Sequence, residues 1–154
     1  MATTAAEQAP PALVNGLHVS TKPIQLSFPL PHSQGTRIHV HLTVREKSLV
    51  LFLTTASGEQ ASSASLGSFV YALPNVNDPS HPLSTALYTV SSTLDFTTRL
   101  SKVLAKRTNK PVYVGNSISF AGAGLGGTVE EEMDGFKRVV DIVIAEIQPT
   151  GTNS

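Results

Sequence analysis

From Thr36 to Thr55 the sequence leaves the chain little freedom. Ile38, Val40, Leu42 and Val44 fall on alternate positions, with Arg37, His39, His41, Thr43 and Arg45 between them. Side chains alternate across an extended strand, so this segment has one face for a core and one for water or a polar partner. Only Glu46-Lys47 separates it from Ser48 to Thr55, a second run that is apolar almost throughout and suits a strand covered on both faces. A link that short cannot carry the chain to a parallel neighbour, which needs a long crossover. The two runs must form an antiparallel hairpin, and the domain must be built round a sheet.

Other segments extend that sheet. Ile24, Leu26 and Phe28 mark an earlier strand, ended by Pro29 and Pro31, with Gly35 in the following turn. A polar loop from Gly58 to Ser65 precedes a fourth strand, Leu66 to Leu73. Pro74 to Pro82, with Asn75, Asn77 and Asp78, reads as a surface loop. Leu83 to Val90 and Val112 to Phe120 are the fifth and sixth strands, with a helix between them and a flexible Gly-rich loop, Gly122 to Gly127, after them. A last helix runs from about Val129 to Ile147, with Val129, Met133, Phe136, Val139, Val140, Val143 and Ile147 at helical spacing. Thr128 and Glu131 form a capping box, and Glu130, Glu131 and Glu132 sit where the helix dipole favours anions, which reads as a cap and solvated face and not as a carboxylate cluster. Gly135 weakens this helix by about 1 kcal/mol relative to alanine. Val139 to Ile147 also alternates as a strand would, but the stripe running unbroken from Val129 favours the helix.

The order β-β-β-β-β-α-β-α predicts an α+β domain, a mainly antiparallel β-sheet or sandwich of about six strands packed with two helices. It spans residues 17–148. Residues 1–16, rich in Ala, Thr and Pro and nearly uncharged, are expected to be disordered, as are residues 149–154.

The 154 residues suit one domain, and at 40% hydrophobic they can build a core. Only 14% are charged, against about 25% in ordinary domains, which favours a surface partly covered by a partner. Lys plus Arg equals Asp plus Glu at 11 each. The basic excess that nucleic-acid binding draws on is therefore missing. Without cysteine there are no disulfides or thiolate metal sites, which fits a reducing compartment. No basic-then-apolar leader opens the chain, and the longest apolar run, Leu49 to Leu53, is too short to cross a bilayer. The expectation is a soluble intracellular protein with neither nucleic acid nor membrane as partner.

The most specific segment is Leu94 to Val114. Phe96, Leu100, Val103 and Leu104 make an apolar helical stripe, and Thr93 or Asp95 can cap its first turn. Pro111 stops the helix, and Val112, Val114 and Ile118 resume at strand period. This helix, turn and strand, with Leu104-Ala105-Lys106-Arg107-Thr108-Asn109-Lys110-Pro111-Val112-Tyr113-Val114 at its centre, resembles the proteasome assembly chaperone 4 family. A weaker likeness runs back through Pro82-Leu83-Ser84-Thr85 to Lys47-Ser48-Leu49-Val50-Leu51-Phe52-Leu53, about the middle half of the chain. The resemblance implies a protein that acts by binding, with no catalytic residue, cofactor or metal. It implies a heterodimer with a proteasome assembly chaperone 3-like protein. The pair would hold an α-type subunit, in the family the α5 position, while the α-ring of the 20S proteasome forms. The compartment implied is the cytoplasm, with the nucleus second.

Lys102, Lys106, Arg107 and Lys110 are the candidate protein-binding residues. They complement a helix C-terminus, or they steer an acidic partner surface towards the chain. Gly122-Ala123-Gly124-Leu125-Gly126-Gly127 matches a dinucleotide fingerprint between strand and helix. The glutamates that follow would repel a pyrophosphate, and no second strand closes a βαβ unit. A connecting loop is the better reading, with a small nucleotide-binding domain as the rival function and a dimeric adaptor as another. His39 and His41 project from one strand face as two metal ligands could, but no further ligands lie in obvious register, so a solvated face or a polar dimer interface suits them better. No Gly-x-Ser-x-Gly elbow supports nucleophilic catalysis.

Overall fold

The computed structural model describes residues 13–14, 17–18, 22–33, 35–57, 65–120 and 129–148. Leu13–Val14 (β1) and Leu17–His18 (β2) pair antiparallel as a ladder of their own. A six-stranded sheet follows, made of Ile24–Pro29 (β3), Thr36–Val44 (β4), Leu49–Ser57 (β5), Ser68–Leu73 (β6), Leu83–Tyr88 (β7) and Val112–Ser117 (β8). Helix α1, Ser91–Thr108, lies between β7 and β8, and α2, Val129–Ile147, comes last. The rest of the segment 1–16, the Gly-rich segment 122–127 with Thr128, residues 58–64 and residues 149–154 lie outside the described residues. Val139 to Ile147 is helical.

The strand order is β3-β4-β5-β8-β6-β7. The β4–β5 hairpin has the expected antiparallel register, from Val44↔Leu49 to Thr36↔Ser57. The pairing of β5 with β8 is parallel, Leu49↔Val112 to Thr54↔Ser117, while β8 pairs antiparallel with β6. A return through α1 supplies the crossover that a parallel neighbour needs. The fold is α+β, a mostly antiparallel six-stranded sheet with both described helices packed on one face.

Ile38, Val40 and Leu42 of β4, Leu49, Leu51 and Leu53 of β5, and Val112 and Val114 of β8 point to that face. They meet Phe96, Leu100 and Leu104 from α1 and Val139, Val140 and Val143 from α2. Leu100 and Leu104 are fully buried, as their spacing requires. The apolar run of β5 departs from expectation. Within Leu49–Leu53 only the odd positions are buried, and Phe52 is 37% exposed, because among the described residues no helix covers the sheet's other face.

Three local details differ from the sequence reading. Helix α1 starts at Ser91 with Val90 as its N-cap and no side-chain cap, so Thr93 and Asp95 fall inside the helix. Thr93 Oγ1 instead accepts from the Ser68 N–H at 3.1 Å and lies 2.8 Å from Ser68 Oγ, tying α1 to β6. One turn on, Thr97 Oγ1 donates to the Thr93 carbonyl at 2.6 Å and accepts from Asn116 Nδ2 at 3.2 Å. Glu131 is fully buried and accepts from Ser33 Oγ at 3.0 Å, joining α2 to the β3–β4 turn and not standing on a solvated face. The fourth strand begins at Ser68, not Leu66, because Gly67 has a φ of +67° that an extended strand cannot hold.

Candidate protein interface

The sheet face opposite the helices is aromatic. Residues directly opposite in a ladder share a face, so the pairings put Gln25, His41, Phe52, Gly115, Phe69 and Tyr88 in one row across all six strands. Thr43, Val50, Tyr113, Tyr71 and Thr85 make the next row. The rings touch in series. His41 and Phe52 have centroids 6.3 Å apart, Phe52 and Phe69 6.1 Å, Phe69 and Tyr113 6.2 Å, and Tyr113 and Tyr71 4.7 Å.

Gly115 makes the belt continuous. Phe52 and Phe69 sit on strands separated by β8, yet their rings stack at 12°. They meet because Gly115, between them, carries no side chain. A Cβ there would lie 2.6 Å from Phe52 Cδ1. The belt runs into exposed apolar side chains at its margins, Leu66, Leu83 and Tyr88 at 46%, 52% and 56% exposure. Apolar groups spread this widely over one face mark an interaction surface more often than a free one.

His39 and His41 lie on this face, where the alternation of β4 places them. They border a shallow concavity of about 460 Å³ with Phe52, Thr54, Leu66 and Ser117. Among the described residues, no three His, Cys, Asp or Glu side chains gather as a metal site would need.

The basic residues divide. Lys102 and Lys106, one turn apart on α1, border a second concavity together with Arg99, which the sequence reading had not grouped with them. Arg107 faces solvent elsewhere on the last turn, and Lys110 follows the left-handed C-cap Asn109. Arg99 is held in place by Asp95 at 3.0 Å and by Glu132 of α2 at 3.1 Å. In the loop before β7, Ser80 Oγ donates to Asp78 at 2.6 Å and the His81 ring lies 2.7 Å away. These bonds, the serine's above all, hold the Asp78 carboxyl below its ordinary pKa.

The aromatic belt escaped the sequence reading because its members lie on four strands. The available signal was the alternation of Phe69 and Tyr71 in one strand, matched by Tyr113 in another, at positions opposite in phase to the buried valines.

A search of the curated proteins finds no match to the chain. Among solved structures, a chain from the crystal structure of a novel chaperone complex for yeast 20S proteasome assembly is similar in fold, with 20% identity and a TM-score of 0.56. The likeness covers 82% of this chain and 98% of that one. Residues 37–118, from β4 to the end of β8 and over half of the sequence, match the family described as Proteasome assembly chaperone 4, so the chain belongs to the proteasome assembly chaperone 4 family.

Proposed function

We propose that the protein is a non-catalytic assembly chaperone. It pairs with a related, proteasome assembly chaperone 3-like protein through the uncovered face of its sheet, and the pair holds an α-type subunit, α5, while the α-ring of the 20S proteasome forms. The observation that carries this reading is the aromatic belt from His41 to Tyr71. It is apolar, preorganised by cross-strand stacking, and left open by helices that pack on the other side only. A similar sheet from a partner would cover it as one layer covers another in a sandwich. His39, His41, Thr54 and Ser117 would give that interface a polar margin. Lys102, Lys106, Arg107 and Lys110 lie on α1 and the turn after it, and serve the second partner by steering an acidic subunit surface.

Co-expression with the sister chaperone should give a stable one-to-one complex that then captures the α-type subunit without β-type subunits. A monodisperse monomer that ignores its sister would overturn the pairing. Reversing Lys106 and Arg107 to glutamate should slow association with the α-type subunit and flatten its salt dependence, while the sister complex stays intact.

A further inference from the structure

The concavity beside Lys102 and Lys106 has a defined chemistry. It occupies about 520 Å³ in the helical layer, between α1, Phe136 of α2 and Pro82 at the entry to β7. Its apolar lining is Val103, Phe136 and Pro82, and its cations are Arg99, Lys102 and Lys106. The three sit at i, i+3 and i+7 on one side of α1. Arg99 is already engaged by Asp95 and Glu132 and lies over the Phe136 ring, 5.9 Å from its centroid. Ser80 and His81 line the other margin, and both engage Asp78. No described acid forms an ion pair with Lys102 or Lys106. The groove therefore presents an apolar floor, one end where charge is balanced, and one end with two uncompensated ammonium groups.

We infer that this groove binds an acidic protein segment carrying one large apolar side chain. The apolar side chain rests on Val103, Pro82 and Phe136, and its flanking carboxylates reach Lys102 and Lys106. Charge complementarity selects the carboxylates, and the apolar floor selects a peptide over a bare anion, which would have no use for it. The groove lies in the helical layer, away from the aromatic belt, so it stays open when the sheet face is covered. The inference rests on the reading that this end of α1 meets the α-type subunit, and it narrows that contact to a peptide in a groove.

The probe is a fluorescein-labelled peptide Asp-Glu-Phe-Asp-Glu with blocked termini, added to the full chain and to its complex with the sister chaperone. Saturable binding is expected, weakening with salt, with amide shifts at Val103 and Phe136 in NMR spectra. The Lys102→Glu, Lys106→Glu double variant should bind about tenfold more weakly, and so should a peptide with Gly in place of Phe. Its thermal melt should match the parent's. Equal binding by the double variant, shifts confined to other surfaces, or no binding would overturn the groove. Association with the α-type subunit is measured in parallel to keep the two readings apart. If the double variant slows that association while the peptide fails to bind, steering stands and the groove falls. If the peptide binds as described while association is unchanged, the groove stands and steering falls.

Discussion

Replacing Phe52 by alanine tests the open face most directly. Phe52 is 37% exposed, and a phenylalanine offers roughly 200 Å². A partner covering the belt would thus remove about 75 Å² of this ring from water. At about 25 cal/mol per Å² that is about 2 kcal/mol of pairing energy, or about a twenty- to thirtyfold change in Kd. The part of the ring already covered, stacked on Phe69 and lying over Gly115, stabilises the free chain by about 2–3 kcal/mol. The free variant should therefore melt about 5–10 °C lower and still be folded at 25 °C. The assay is isothermal titration with the sister chaperone below the melting range, alongside circular dichroism melts. A folded Phe52→Ala chain that pairs with unchanged Kd would refute the assignment of this face, because Phe52 stands on a central strand with part of its ring open to solvent.

Gly67→Ala should fail to give stable protein. Its φ is +67°, and a Cβ would sit 2.0 Å from the Asn116 carbonyl oxygen, so β6 and β8 would have to part. A melt within 5 °C of the parent's, on the order of 1–2 kcal/mol for a domain this size, would contradict that. Thr97→Val keeps the shape but strips Asn116 Nδ2 of its buried acceptor, a loss of about 1–3 kcal/mol by chemical denaturation. Gly135→Ala should raise stability by about 0.5–1 kcal/mol. The added methyl meets Ile38 and Phe120 only at 3.4–3.5 Å, and a fall in the denaturation midpoint would show that α2 is packed more tightly than these distances say.

Much of the architecture was legible because it depends on local period. The alternation of Ile38, Val40 and Leu42 and the stripe of Phe96, Leu100 and Leu104 each state which side is buried, and both are buried as stated. The choice of neighbour for Val112–Ser117 is not a local property. Its pattern fits any interior strand, and only the folded chain reveals that it enters between β5 and β6. The error at Phe52 has a separate cause. An apolar run reports hydrophobicity on both faces, but not whether the second face is covered by this chain or left for another. The cation cluster was read from closeness in sequence. Helical geometry instead joins Lys102 and Lys106 to Arg99, while Arg107, next to Lys106, points a quarter-turn away. Glu131 was misread for a similar reason, since nothing near it in sequence announces Ser33 as its partner.

The insertion of β8 has a consequence for synthesis. When the ribosome has completed β5, the strand that will occupy its free side has not been made. Residues 58–117 must still be translated, on the order of several seconds at ~5–20 residues per second. During that time Leu49-Val50-Leu51-Phe52-Leu53 stands on an open edge without a charge to guard it. The β6–β7 hairpin, arriving next, exposes a second bare edge on β6, and nothing in the final topology pairs these edges directly. The nascent chain thus holds two incomplete half-sheets whose quickest misstep is to join each other, or those of a neighbouring ribosome. Release from that state waits for Val112 to Ser117, so a truncation anywhere before β8 should yield insoluble fragments and not a smaller folded domain.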